Sequence, residues 1–229
     1  MQKGYTQFII KGSKAMLPII PAVLPFGLIM GAVGSTAELS GIELGALNTL
    51  VFAGASQLVA VDLLMKDVPS SVIIITGLVI NLRMILYSVS LSEVLKDSSV
   101  GTKTIGAYLV TDQAYAVYTA NSNQLKSKEE KVPFYIGAAL CMSFSWQLFV
   151  LVGFIFGNFL PSSLNLDFAV PLSFIALAMP TLRNKKYYYV ALASSILSIL
   201  FYNLPYNLGL LASGAIAMLF GSFLLRKKQ

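Results

Sequence analysis

The strongest constraint on this chain is the grouping of its apolar residues. Eight runs poor in charge, at about 15–34, 41–65, 71–91, 105–121, 132–159, 168–182, 187–204 and 208–225, are separated by short polar turns. A helix needs about 20 apolar residues to cross the hydrocarbon core, and most of these runs reach or approach that length. Only 11% of residues are charged, against roughly 25% in an average soluble domain, and 56% are hydrophobic. A soluble fold of this length cannot keep that much apolar surface dry. The chain reads as an all-α polytopic transmembrane helix bundle, one domain over 1–229. It has about eight spans, or seven if the short sixth run is tilted, broken or re-entrant.

Other classes drop out on composition. The net charge of +6 comes from basic residues too few and scattered to form a nucleic-acid groove. There is no histidine, and Cys141 is the single cysteine, so a disulfide or metal cluster is not expected. The basic start (Lys3, Lys11, Lys14) before an apolar run imitates a signal peptide. Three prolines in that run and further spans behind it argue for a first membrane helix instead.

Loop charges give an orientation. With eight crossings, one side collects Lys3, Lys11, Lys14, Lys66, Lys126, Lys128, Lys131, Arg183, Lys185, Lys186, Arg226, Lys227 and Lys228. The other collects Lys96 and Lys103. The positive-inside rule then places both termini of this multi-pass chain in the cytoplasm, with the bundle in the cytoplasmic (inner) membrane. No internal repeat is legible in the sequence.

The informative residues are those least suited to lipid. Pro18, Pro21, Pro25, Phe26 and Gly27 interrupt the first run, where the prolines are expected to break or kink the helix. The second run centres on Phe52-Ala53-Gly54-Ala55-Ser56-Gln57, the third on Asn81 and Arg83, the fourth on Thr111, Asp112 and Gln113, and the fifth on Ser143, Ser145, Trp146 and Gln147. Five runs thus place polar or helix-breaking residues at similar depth, which suits a cavity at the membrane midplane with some helices broken around it. A central Arg or Asp costs about 2.5–3.5 kcal/mol on insertion, while each Leu, Ile, Val or Phe returns only about 0.3–0.6. Asp112 therefore needs a partner inside the bundle, and Arg83 is the natural one. The pair either brackets a zwitterionic substrate or fixes helix register as a structural ion pair. Gly54, Ala55 and Ser56 either let a helix open, so that its new N-terminus can hold a carboxylate, or let a neighbouring helix approach closely. The spacings Gly27/Gly31, Gly41/Gly45, Gly153/Gly157 and Ser213/Ala217/Gly221 read as helix packing. Asp62 and Lys66, four apart, read as a pair at the inner membrane edge, where Lys66 snorkels.

These motifs carry a resemblance. The stretches 17–31 (LPIIPAVLPFGLIMG), 51–57 (VFAGASQ), 81–91 (NLRMILYSVSL), 111–116 (TDQAYA), 134–146 and 166–180 (LDFAVPLSFIALAMP) occur in family order over nearly the whole chain. Together they resemble the AzlC family of branched-chain amino acid exporters. The resemblance implies export of valine, leucine, isoleucine, methionine or their analogues, and a small AzlD-type membrane partner. Two positions depart from the family's pattern. Met84 stands where histidine often follows the arginine, and Gln113 where glutamate often follows Thr-Asp. A histidine relay is thereby excluded, and Asp112 becomes the leading proton carrier.

The resulting expectation is a secondary-active exporter, not an enzyme, without metal or cofactor. The substrate's apolar side chain would meet Phe26, Phe52 and Trp146. Its carboxylate would meet Arg83 and the amides from Gly54 to Gln57, and its ammonium Asp112. Gly27, Asn81 and Thr111 complete the candidate site. A passive channel for small polar solutes and a scaffold subunit are the alternatives. Nothing in the sequence supports a metal-dependent or paired-aspartate enzyme.

Overall fold

A computed structural model describes residues 2–157, 175, 182, 185–204 and 208–226. The described residues form helices and connecting turns, with no strand. The helices are α1 (Gln2–Met16), α2 (Ile20–Thr36), α3 (Gly41–Leu50), α4 (Gly54–Met65), α5 (Ser70–Leu95), α6 (Val100–Tyr108), α7 (Asp112–Asn121), α8 (Lys128–Gly157), α9 (Lys185–Leu200) and α10 (Leu208–Arg226). The sixth apolar run lies almost wholly outside the described residues.

Among the described residues, three helical stretches are long and apolar enough to cross a membrane: Gly4–Thr36, Ser70–Leu95 and Lys128–Gly157. The first joins α1 to α2 through the 3-10 turn Leu17–Ile19. That turn contains Pro18, and Pro21 follows at the opening of α2, where its missing N–H costs nothing. Pro25, expected to break the helix, sits inside α2, which continues through it.

The first crossing and α8 run parallel along a seam of small residues. Gly12 faces the backbone of Phe134, Gly137 that of Ile9, Gly31 that of Val150 and Gly153 that of Leu28. The register rises together in both helices, and Ser13 Oγ donates to the Gly137 carbonyl at 2.9 Å. A Cβ at any of these four glycines would collide with the opposing main chain. The packing expected of Gly27/Gly31 and Gly153/Gly157 thus belongs to this seam. Gly45 is different: nothing lies within 4 Å of its Cβ position. Together with Gly41 it borders an apolar groove between α3 and α8.

The expected crossings at 41–65 and 105–121 are corrected by the structure. Each is split in two and folds back. The α3 helix starts beside the end of α8, with Gly41 against Phe154, and descends until Asn48 meets Trp146 and Gln147. After the break at 51–53, α4 does not continue the descent. Gln57 Nε2 donates back to the Leu47 carbonyl at 3.0 Å. A four-residue turn then delivers the chain to α5, whose Asn81 bonds Ser56. The mirror situation holds for α6 and α7. Asp97, just before α6, pairs with Lys128 at the start of α8. Gly106 meets Tyr135, and after the break at 109–111 Tyr118 returns to that same Tyr135.

These half-helices have 10, 12, 9 and 10 residues. At 1.5 Å per residue each spans about 14–18 Å, half a hydrocarbon core. The result is two re-entrant hairpins that come in from opposite ends and meet tip to tip. Each hairpin opens on a serine cap: Ser40 forms a capping box with Glu43, and Ser99 accepts from the Thr102 amide. The α5 helix crosses between the hairpins, antiparallel to α8, with apolar residues such as Ile74, Leu78 and Leu86 on the outside. Helices α9 and α10 pack against each other, Lys186 Nζ donating to the Leu224 carbonyl.

Candidate functional site

The hairpin tips enclose a cavity of about 40 Å³, lined by Phe26, Phe52, Ala53, Gly54, Ala55, Arg83, Met84, Thr111, Asp112, Gln113, Met142 and Trp146. One water occupies at least about 10–15 Å³ of such space, so this volume admits a few waters and no leucine side chain. The cavity is small and only partly enclosed.

Its charged pair comes from α5 and α7. Arg83 Nη1 lies 3.0 Å from Asp112 Oδ2, and about a third of each side chain is accessible. Tyr87 donates its hydroxyl to Asp112 Oδ1 at 2.8 Å and stacks on Tyr115 at 4.6 Å. Both carboxylate oxygens are therefore engaged. Arg83 Nε, in contrast, is buried with no acceptor among the described residues.

Asp112 stands at the first position of α7, where the helix dipole favours negative charge. Thr111 caps that helix, its Oγ1 accepting from the Ala114 amide at 3.2 Å. The opposing helix start, α4, has Ala53 as its N-cap and no side-chain acceptor. Gly54 and Ala55, which open that helix, line the cavity. A Cβ at Gly54 would lie 2.5 Å from Trp146 Cη2 and 2.8 Å from Phe26 Cε1. Those two rings, 5.4 Å apart, form the apolar wall.

The expected site residues divide into three groups. Phe26, Phe52, Gly54, Ala55, Arg83, Thr111, Asp112 and Trp146 line the cavity. Ser56, Gln57 and Asn81 stand behind it. Asn81 Nδ2 donates to Ser56 Oγ, which donates to the Ala53 carbonyl and holds the tip of the first hairpin. Gln57 and Trp146 Nε1 both donate to Asn48 Oδ1. Gly27 falls outside the site, because it packs against Phe149.

Sequence reasoning missed Asn48, Tyr87, Tyr108 and Met142. Tyr87 had a usable signal: four residues after Arg83, it shares that face of the helix. Asn48 is a polar amide within an apolar run, nine residues before Gln57, which was also a signal. Tyr108 donates to the Thr49 carbonyl at 2.7 Å and stacks on Phe52 at 5.5 Å, joining the two tips.

Comparison with known proteins fits this picture. A family model described as AzlC protein matches residues 18–160. A protein of Archaeoglobus fulgidus described as an uncharacterized membrane protein is 28% identical over 183 residues, 76% of each chain. Inner membrane protein YgaZ of Escherichia coli is 23% identical over 205 residues, 85% of this chain and 82% of its own. The branched-chain amino acid transport protein AzlC of Bacillus subtilis is 26% identical over 189 residues, 80% of this chain and 71% of its own. No solved structure matches.

Proposed function

The chain belongs to the AzlC family of membrane transport proteins, and from that premise we propose that it exports branched-chain and other hydrophobic amino acids. Valine, leucine, isoleucine and methionine are the substrates in this reading. The observation that carries it is the placing of cationic and main-chain donors and of a carboxylate around one cavity. Donors gather on one side: Arg83 Nε and the start of α4, which no side chain caps. The acid, Asp112, stands at the start of the opposing helix. A zwitterion satisfies both, its carboxylate on the donors and its ammonium on Asp112. Its aliphatic side chain lies against Phe26 and Trp146.

Binding then requires Arg83 to release Asp112, and protonation of Asp112 is one way to bring that about. We assign it the role of proton carrier, coupling export to proton entry. The small space left where the two tips meet supports a carrier over a passive pore. The end holding Lys11, Lys14, Lys96, Lys103, Lys126, Lys128 and Lys131 faces the cytoplasm by the positive-inside rule, against Lys66 at the other end. Lys186, in the first turn of α9, reaches the Leu224 carbonyl near the end of α10, so in this reading both termini are cytoplasmic. A small AzlD-type subunit works with the chain.

The test is efflux of labelled valine from proteoliposomes under an imposed pH gradient, with and without the small subunit. Arg83→Ala and Asp112→Asn each remove a charge-assisted hydrogen bond of about 1.5–3 kcal/mol, which is roughly 10- to 100-fold in rate. Full transport by both variants at normal expression overturns the site. Valine efflux indifferent to the pH gradient overturns the coupling.

A further inference from the structure

The first 121 residues are built twice. Thr36 and Leu95, which end the two long helices, are 59 residues apart, as are the cap serines Ser40 and Ser99. Gly54 and Asp112, which open the returning half-helices, are 58 apart. Each unit is one crossing followed by one re-entrant hairpin. Because α5 runs opposite to the first crossing, the second unit is inverted relative to the first. Nothing in the residue identities announces this, since the match is of helix ends and caps.

An inverted pair of units places two equivalent closures on one cavity, one toward each face. The two hairpins are those closures. Each has its mouth at one end of the molecule and its tip on the cavity wall. They are joined by the Tyr108 hydroxyl on the Thr49 carbonyl and by the Phe52–Tyr108 stack. Phe52 sits at φ 40°, a left-handed backbone that a bulky residue rarely adopts. The seam of α1, α2 and α8 behind them is in main-chain contact and leaves no room to slide.

Resting on the proposed carrier function, we infer that the α3–α4 and α6–α7 hairpins are alternate gates, each opening the cavity to one face, and that Tyr108 on Thr49 is the latch tying the two tips together in the empty protein.

The test needs no substrate. Cys141→Ser removes the single cysteine of the chain, and Ala55→Cys then places one thiol on the cavity wall. Met142→Cys serves as a second position on α8. The protein is reconstituted in vesicles of known orientation and treated with a membrane-impermeant maleimide added to one face at a time. The expected result is labelling from either face at both positions. Tyr108→Phe should speed it about two- to tenfold, the weight of one net hydrogen bond. Labelling from one face only, or from neither with the latch removed, overturns the two gates. Equal rates with and without Tyr108→Phe overturn the latch. Two-sided labelling in a protein that moves no valine refutes the proposed substrate and keeps the gates. One-sided labelling in a protein that exports valine does the reverse.

Discussion

The two hairpin tips meet across one cavity but contribute different chemistry. The first, 51–53, is held in an unusual backbone conformation at Phe52 and followed by a helix start without a side-chain cap. It offers main-chain groups, reached through a glycine. The second, 109–111, shows no positive φ. It is capped by Thr111 and followed by a carboxylate bound to Arg83 and Tyr87. It offers a charge. On the proposed function, the two tips thus offer different groups to the two ends of a zwitterion. An uncharged helix start suits an anion, and the acid at the other start suits a cation.

The comparison depends first on both segments being hairpins. Asp97→Cys with Lys128→Cys, in the Cys141→Ser background, should cross-link almost completely, because these side chains meet at one end of the molecule. Were 100–121 a full crossing, they would be about 30 Å apart and no link would form. The next largest effect is expected at the first tip. Gly54→Ala forces Trp146 or Phe26 to move. Overpacking of this kind costs about 1–3 kcal/mol, read as weaker substrate affinity with the Arg83–Asp112 pair intact. If Gly54→Ala transports normally, the main-chain half of the comparison fails. The smallest effect is at the support. Trp146→Phe keeps an aromatic wall and removes the Nε1 bond to Asn48, a loss of about 0.5–1.5 kcal/mol in stability. Thermal unfolding should register it.

Arg83 and Asp112 were legible in the sequence because a charge within an apolar run is costly and needs a partner. The cavity wall was partly legible for the same reason. The hairpins were not. Residues 41–65 have the length and composition of a crossing, and what turns them back is local. It consists of the backbone at Phe52, the return of Gln57 to Leu47, and the short turn into α5. Loop charges did not expose the error, since misreading two hairpins as spans changes parity twice and cancels by residue 128. Only Lys66, Lys96 and Lys103 change sides. The Asp62–Lys66 pair forms as expected at 2.8 Å, but at the far end. The doubled architecture was invisible because the two units match in their helix ends and caps and not in a run of residues.

The position of α8 has a consequence for how the protein is made. Its residues form the wall for both hairpins: Trp146 and Gln147 hold Asn48, and Tyr135 holds Gly106 and Tyr118. Those hairpins leave the ribosome before that wall exists. Until Lys128–Gly157 is synthesised, two short, polar-tipped helix pairs must wait at the membrane without the partners that satisfy them. A chain stopped at residue 127 should therefore be recognised by quality-control proteases, although both halves of its site have already been translated.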